Sequence, residues 1–298
     1  MTGRSIAGRG NGRDSRSVSS AIRVQGLAKR YGDVRAVDGV DLEIERGEVF
    51  ALLGPNGAGK STTVEILEGF RSRDAGEVEV LGVDPARATL DWRARLGIVA
   101  QTTREAPELT VREIVRHFAG YYPGPRDPDE VIEAVGLTGS AGTRLRRLSG
   151  GQRRRVDVAL GIVGDPELLF LDEPTTGFDP EARRAFWELI RGLADGGTTI
   201  LLTTHYMEEA EALADRVGVI SDGRILATGT PRELGGRATA EAEVSWLDPG
   251  EGRRSLRTAS PTQVVGELAE RFGGEVPELT VTRPTLEDVY LRMLGERR

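Results

Sequence analysis

Apolar residues along this chain fall into two rhythms. Uninterrupted runs at Val49–Leu53, 168–171 and 200–202 have the length of strands buried on both faces. Residues 22–27 and 41–44 instead alternate apolar with polar, the mark of half-buried antiparallel strands, and are expected to lie against the Val49–Leu53 strand. Further strands are predicted at 77–81, 95–101 and 198–204, and two more at 216–221 and 224–228 around Asp222 and Gly223. Helical spacing takes over at 60–70, 110–122, 127–135, 149–163, 180–194 and 206–214. Breaks at Pro123, Gly124 and Pro125 separate two of these helices, so that about 103–165 reads as a helical insertion between core strands. A short segment, 231–234, closes this part of the chain. Beyond it, strands at 240–247, 255–258 and 279–282 and helices at 263–272 and 286–294 predict a small C-terminal α/β appendage, 236–298. Its last helix, with Thr285 as cap, is expected to pack on the appendage itself.

Composition changes this picture only at the margins. The chain has 298 residues, 38 % hydrophobic and 29 % charged, which is enough to bury a large core. A net charge of -7 argues against nucleic acid as partner, since phosphates demand a basic surface. The absence of cysteine excludes disulfides and thiol catalysis, and no run of about 18 apolar residues suggests a membrane span. Residues 1–20, rich in Gly, Ser and Arg, read as a disordered tail that has too little apolar character for a signal peptide.

The chemistry begins where the first buried run ends. Residues 54–61 read GPNGAGKS, with Thr62 following: Gly54, Pro55, Asn56, Gly57, Ala58, Gly59, Lys60 and Ser61. Strand, glycine-rich loop and helix in that order make a phosphate cradle, because the curled backbone points its N–H groups inward and the helix adds its positive end. Lys60 would bring a point charge to the outer phosphates, and the Ser61 hydroxyl a ligand for magnesium.

A second anion-seeking helix start lies at LSGGQ, residues 148–152, where Ser149 can cap and Gly150, Gly151 and Gln152 open the helix. About twenty residues later the run LLFLDEP ends in Asp172 and Glu173, two acids at a strand end that call for a cation or ligand. Asp172 suits a magnesium ligand and Glu173 a base that polarises water. His205 follows the next strand at the same sheet edge. Tyr31 offers a ring that either stacks on a purine or packs in its hairpin, and Gln101 stands at a strand end where turn residues are also common.

Together these segments resemble the ATP-binding subunits of ABC transporters over about residues 21–235. YGDVRAVDGV, ILEGF, TTGFDP, THYMEEAE and TLEDVYLRMLG narrow the likeness to drug exporters of the daunorubicin-resistance type. The resemblance implies a P-loop NTPase fold: a RecA-like core with an antiparallel β-subdomain and helical insertion, plus the C-terminal appendage. It implies ATP and Mg2+ as ligands, with Ser61, Gln101 and Asp172 toward the metal and Tyr31 stacking on adenine. Glu173, His205, Lys60 and Gln101 become the catalytic set, His205 as the switch beside the γ-phosphate. Ser149, Gly150, Gly151 and Gln152 would meet the nucleotide of the opposite subunit, and Asp179 would communicate across the dimer. Phe178 departs from the family's usual Leu, and residues 102–108 are short and acidic where partner contacts would form.

The partners expected are a second copy, forming a homodimer around two ATP, and separate transmembrane permease subunits that hold the protein peripherally at the cytoplasmic face of the cell membrane. A short loop from the insertion to the 168–172 strand leaves its helix start little reach toward Lys60 of the same chain, which supports the two-copy arrangement. The other class considered is a soluble ABC ATPase of translation or DNA repair. Those carry paired cassettes, long coiled coils or zinc modules, and this chain has one uninterrupted cassette and no heptad run. A sensor without turnover is disfavoured because Lys60, Asp172, Glu173 and His205 are all present.

Overall fold

The computed structural model describes residues 20–100 and 107–295. In chain order, β1 (Ser20–Tyr31) and β2 (Val34–Glu45) form a hairpin, followed by β3 (Val49–Leu53) and α1 (Lys60–Leu67). Then come β4 (Ala75–Val80), α2 (Leu90–Arg93) and β5 (Leu96–Val99). The insertion contributes α3 (Val111–Ala119) and α4 (Pro128–Ala134), and α5 (Gly150–Ile162) leads back to β6 (Leu168–Asp172). The core finishes with α6 (Pro180–Asp195), β7 (Thr199–Thr204), α7 (Met207–Leu213), β8 (Arg216–Ser221) and β9 (Arg224–Gly229). Beyond it lie β10 (Ala242–Asp248), β11 (Gly252–Thr258), α8 (Pro261–Phe272), β12 (Thr280–Thr282) and α9 (Leu286–Gly295).

The central sheet has the order β5-β6-β7-β3-β8-β9, parallel except for β9. Its inner strands are apolar throughout because both faces are covered. Val49, Ala51, Leu53, Leu169, Leu171, Ile200 and Leu202 turn to the helical side, joining α3 to α7. Phe50, Leu52, Leu168, Phe170 and Leu201 turn to the other side and meet the hairpin and α1. Alternation along each strand thus builds two cores from one sheet. The chemistry-bearing turns after β3, β6 and β7 all leave from the same, carboxyl edge of this sheet.

The alternating strands lie against the Val49–Leu53 strand as a separate layer: β1 and β2 are each 12 residues long and form an antiparallel sheet, β2-β1-β4, stacked on the central one. One expectation needs correction, and it concerns α9. Val244, Trp246, Leu268 and Val276 fill a small core between β10, α8 and the segment that follows α8, without it. Leu286 and Tyr290 are instead buried in the helical-side core of the main sheet, where Met293 and Leu294 also pack. Arg237 fastens this return, donating from Nε to the Pro284 carbonyl at 2.8 Å and pairing with Glu211 of α7.

Candidate active site

The loop 54–59 closes on itself before it can hold anything else. Gly57 and Gly59 have φ of +80° and +103°, and a Cβ on residue 59 would stand 2.3 Å from the Ala36 carbonyl oxygen of β2. Only glycine fits there. Lys60 opens α1, is 6 % exposed, and donates from Nζ to the carbonyls of Gly54 (2.6 Å) and Pro55 (3.2 Å). Its ammonium lies 3.8 Å from Glu173 Oε1. Burial pulls the Lys60 pKa below the usual lysine value, while Glu173 and Asp172 act to raise it. Ser61 is exposed and Thr62 half-buried beside it.

Asp172 ends β6, and Glu173 takes a left-handed turn at φ +42°. Such a conformation is strained for a side-chain-bearing residue and is sustained by the bonds around it. Thr203 of β7, fully buried, supplies most of them: its hydroxyl donates to Asp172 Oδ1 at 2.5 Å and accepts from the Glu173 N–H at 3.1 Å. The Glu173 carboxylate thereby stands between two cations or potential cations, since His205 Nδ1 lies 3.2 Å from the same Oε1 that faces Lys60. Lys60, Asp172, Glu173 and His205, far apart in sequence, are brought to one sheet edge.

Other expected positions are placed with varying closeness. Tyr31 is 41 % exposed at the hairpin tip, with Lys29 Nζ and Arg71 Cζ each 5.6 Å from its ring centre. Ser149 caps α5 and shares a full capping box with Gln152: Gln152 N–H donates to Ser149 Oγ at 3.2 Å and Ser149 N–H to Gln152 Oε1 at 3.0 Å. Both caps are spent on the helix, leaving the exposed edge at Ser149 and Gly150, with half-buried Gly151, as the surface offered outward. Asp179 caps α6, accepting from the Ala182 N–H at 2.8 Å, and is exposed. Gln101 lies outside the described residues.

Sequence reasoning missed four residues around this edge. Thr203 stood just past an apolar run, inside a predicted strand. Glu68, just after α1, is buried, and that burial, with the charges of Asp172 and Glu65, pushes its pKa up to about 8. Glu209 of α7 is buried among Thr204, Thr175 and Trp187 and faces the Arg183 guanidinium; burial raises its pKa and those neighbours act against the rise. Arg154 of α5 is 8 % exposed and reaches the ends of β5 and β6.

A model of the ABC transporter family matches residues 37–176, from β2 through the capped LSGGQ turn at 148–152, the signature turn, to the loop after Glu173. A daunorubicin resistance ATP-binding protein, DrrA3, of Streptomyces coeruleorubidus is 39 % identical over 94 % of this chain and 97 % of its own. The chain belongs to the ABC transporter ATP-binding proteins. Nod factor export ATP-binding protein I of Ralstonia nicotianae is 45 % identical over 92 % of this chain and 94 % of its own. Among solved structures, a bacterial ABC transporter cassette crystallised as a dimer superposes with a TM-score of 0.62 at 26 % identity, covering 70 % of this chain and 98 % of that one.

This ABC protein is therefore an ATP hydrolase with a P-loop NTPase fold. Among its described residues no helix is long and apolar enough to cross a membrane. No group of three or more His, Cys, Asp or Glu among them could cage a metal. Magnesium does not need such a cage: an octahedral ion is served by one hydroxyl, one carboxylate, water and phosphate oxygens, and Ser61 with the Thr203-held Asp172 fits that donor set.

Proposed function

We propose that this protein is the ATP-hydrolysing subunit of an exporter of drug-like or lipophilic compounds. It works as a pair of copies with a separate transmembrane permease at the cytoplasmic face of the membrane. The observation that carries the catalytic reading is the Glu173 carboxylate, fixed between Lys60 at 3.8 Å and His205 at 3.2 Å. An acid so placed can orient a water toward the γ-phosphorus and draw off its proton, with His205 steering the carboxylate. Lys60, released from the loop carbonyls, would meet the charge that develops on the transferring phosphoryl group. Ser61, Asp172 and Gln101 would hold magnesium, which when bound neutralises phosphate charge. Tyr31 would pack on the adenine face, its flanking cations sharing the phosphate side.

The signature residues Ser149, Gly150, Gly151 and Gln152 would serve the ATP of the second copy, and Asp179 would relay between the two sites. Relatives named for daunorubicin resistance and for Nod factor export support the export reading. The test is Glu173→Gln. ATP binding should persist, turnover should fall by at least about 100-fold, and ATP should hold a dimer that light scattering detects. Near wild-type hydrolysis by this variant would remove Glu173 from the role of base. Co-expression with the permease should recover a membrane complex containing two ATPase copies; migration with ribosomes instead would overturn the transport reading.

A further inference from the structure

Three arginines follow the signature in succession, and they behave differently. Among the described residues, Arg153 is exposed and reaches the Leu148 carbonyl, at 3.4 Å, while Arg155 reaches the Val135 carbonyl, also at 3.4 Å, inside the insertion. Arg154 alone among the three crosses to the sheet. Its Nη1 donates to the Ala100 carbonyl just beyond β5 (2.5 Å), its Nη2 to the Asp172 carbonyl (2.9 Å) and its Nε to the Pro174 carbonyl (3.0 Å). Asp157 stands 3.6 Å from Nη1, and the charges of Asp172 and Glu209 also face the guanidinium.

A charge this buried is tolerated only because the planar fork spends its donors on fixed acceptors. Those acceptors are the backbone on either side of the strained Glu173 and the end of the neighbouring strand. Arg154 lies one helical turn from Ser149 and Gly150. The signature helix therefore cannot slide or rotate against the carboxylate-bearing turn unless all three bonds are broken or move together.

We propose that Arg154 is a positioning residue that couples the seating of its own chain's signature turn on one ATP to the alignment of Asp172 and Glu173 at the other. This rests on the reading that the signature serves the second copy's nucleotide. The chain's two functional faces are then one mechanical unit, and the two ATP sites of a dimer act cooperatively through it. Such coupling needs an element shared by both sites, and the Arg154 fork is that element.

The experiment uses the full-length protein carrying Arg154→Lys, which keeps the charge but cannot span three carbonyls, beside Arg154→Gln and the control Arg155→Gln. ATP affinity, kcat, KM, the Hill coefficient for ATP and the melting temperature are measured for each. In the wild type, turnover should be cooperative in ATP. Arg154→Lys should lower kcat about 10- to 100-fold and bring the Hill coefficient to about 1, with ATP affinity held near wild type, while the melting temperature falls because buried carbonyls lose their donors. Arg155→Gln should change neither kcat nor cooperativity. Should Arg154→Gln fail to fold, Arg154→Lys decides the matter. Unaltered kcat and cooperativity in Arg154→Lys overturn the proposal, as does a non-cooperative wild type or an Arg154→Lys variant, folded at the assay temperature, that loses ATP affinity together with kcat. If Glu173→Gln still traps a dimer while the Arg154 variants turn over normally, only the coupling fails; if Glu173→Gln hydrolyses normally, the catalytic reading fails on its own account.

Discussion

Lys60 and Gly150 both open helices at which backbone N–H groups are free to meet an anion, yet the two helix starts are built in opposite ways. The Lys60 turn is enclosed: two glycines with positive φ, a β2 carbonyl pressed against Gly59, and an ammonium that is 6 % exposed. The Ser149 turn is open. Its glycines have ordinary backbone angles, an added Cβ at Gly150 would meet nothing within 4 Å, and at Gly151 only Ala182 Cβ at 3.7 Å. An enclosed turn surrounds its phosphates by itself. An open one presents a flat face, finished at its own end by a capping box, that has value only when something is laid against it.

The largest effect should come from breaking the enclosure. Gly59→Ala places a methyl at φ +103° and 2.3 Å from the Ala36 oxygen, so either the loop or β2 must shift. ATP binding should drop by at least about 100-fold, because misplaced donors forfeit most of their worth to phosphate. Titration with a fluorescent ATP analogue reads this directly. Binding within a few-fold of wild type would mean that the cradle tolerates a geometry that the backbone here forbids.

A change made at the open turn should leave binding alone. Ser149→Asp keeps an N-cap acceptor of equal quality and adds a negative charge where the helix dipole welcomes it. The melting temperature should stay level or rise, and each chain should still bind ATP. Turnover should fall by at least about 100-fold, since the added carboxylate would confront the other copy's phosphates. A variant that loses stability and turnover together would reduce the signature turn to a structural cap.

How much of this was legible beforehand follows the same division. The enclosed turn announces itself, because tight phosphate geometry demands glycines at fixed intervals and a lysine at the helix start. Asp172, Glu173 and His205 were equally readable as polar residues ending apolar runs. What escaped depends on contacts between distant segments. Thr203 looked like one more strand residue, and its two bonds to the Asp172–Glu173 turn exist only because β6 and β7 are neighbours. Arg154 stands in a run of three arginines, and nothing in the run itself singles it out. A signal was present, for Arg154 shares its helical face with Val158 and Ile162, both buried, and an arginine on an apolar stripe must find acceptors there. The α9 stripe was read correctly as a buried face, but not whose core it fills: β10 and α8 close around Trp246 without it.

The smallest effect separates cap from contact at the open turn itself. Ser149→Ala removes the hydroxyl that accepts the Gln152 N–H, while the return bond from Ser149 N–H to Gln152 survives. Half a capping box is lost, at a cost of about 1 kcal/mol, or roughly 2 °C in melting temperature. The glycine N–H groups stay where they were, so turnover should fall by less than about tenfold. Against Ser149→Asp the two observables then move in opposite orders: alanine lowers stability more than turnover, aspartate lowers turnover and spares stability. If alanine matched aspartate in turnover, the Ser149 hydroxyl itself would have to leave the capping box and reach the facing phosphate, and the open turn would be a switched site and not a preformed one.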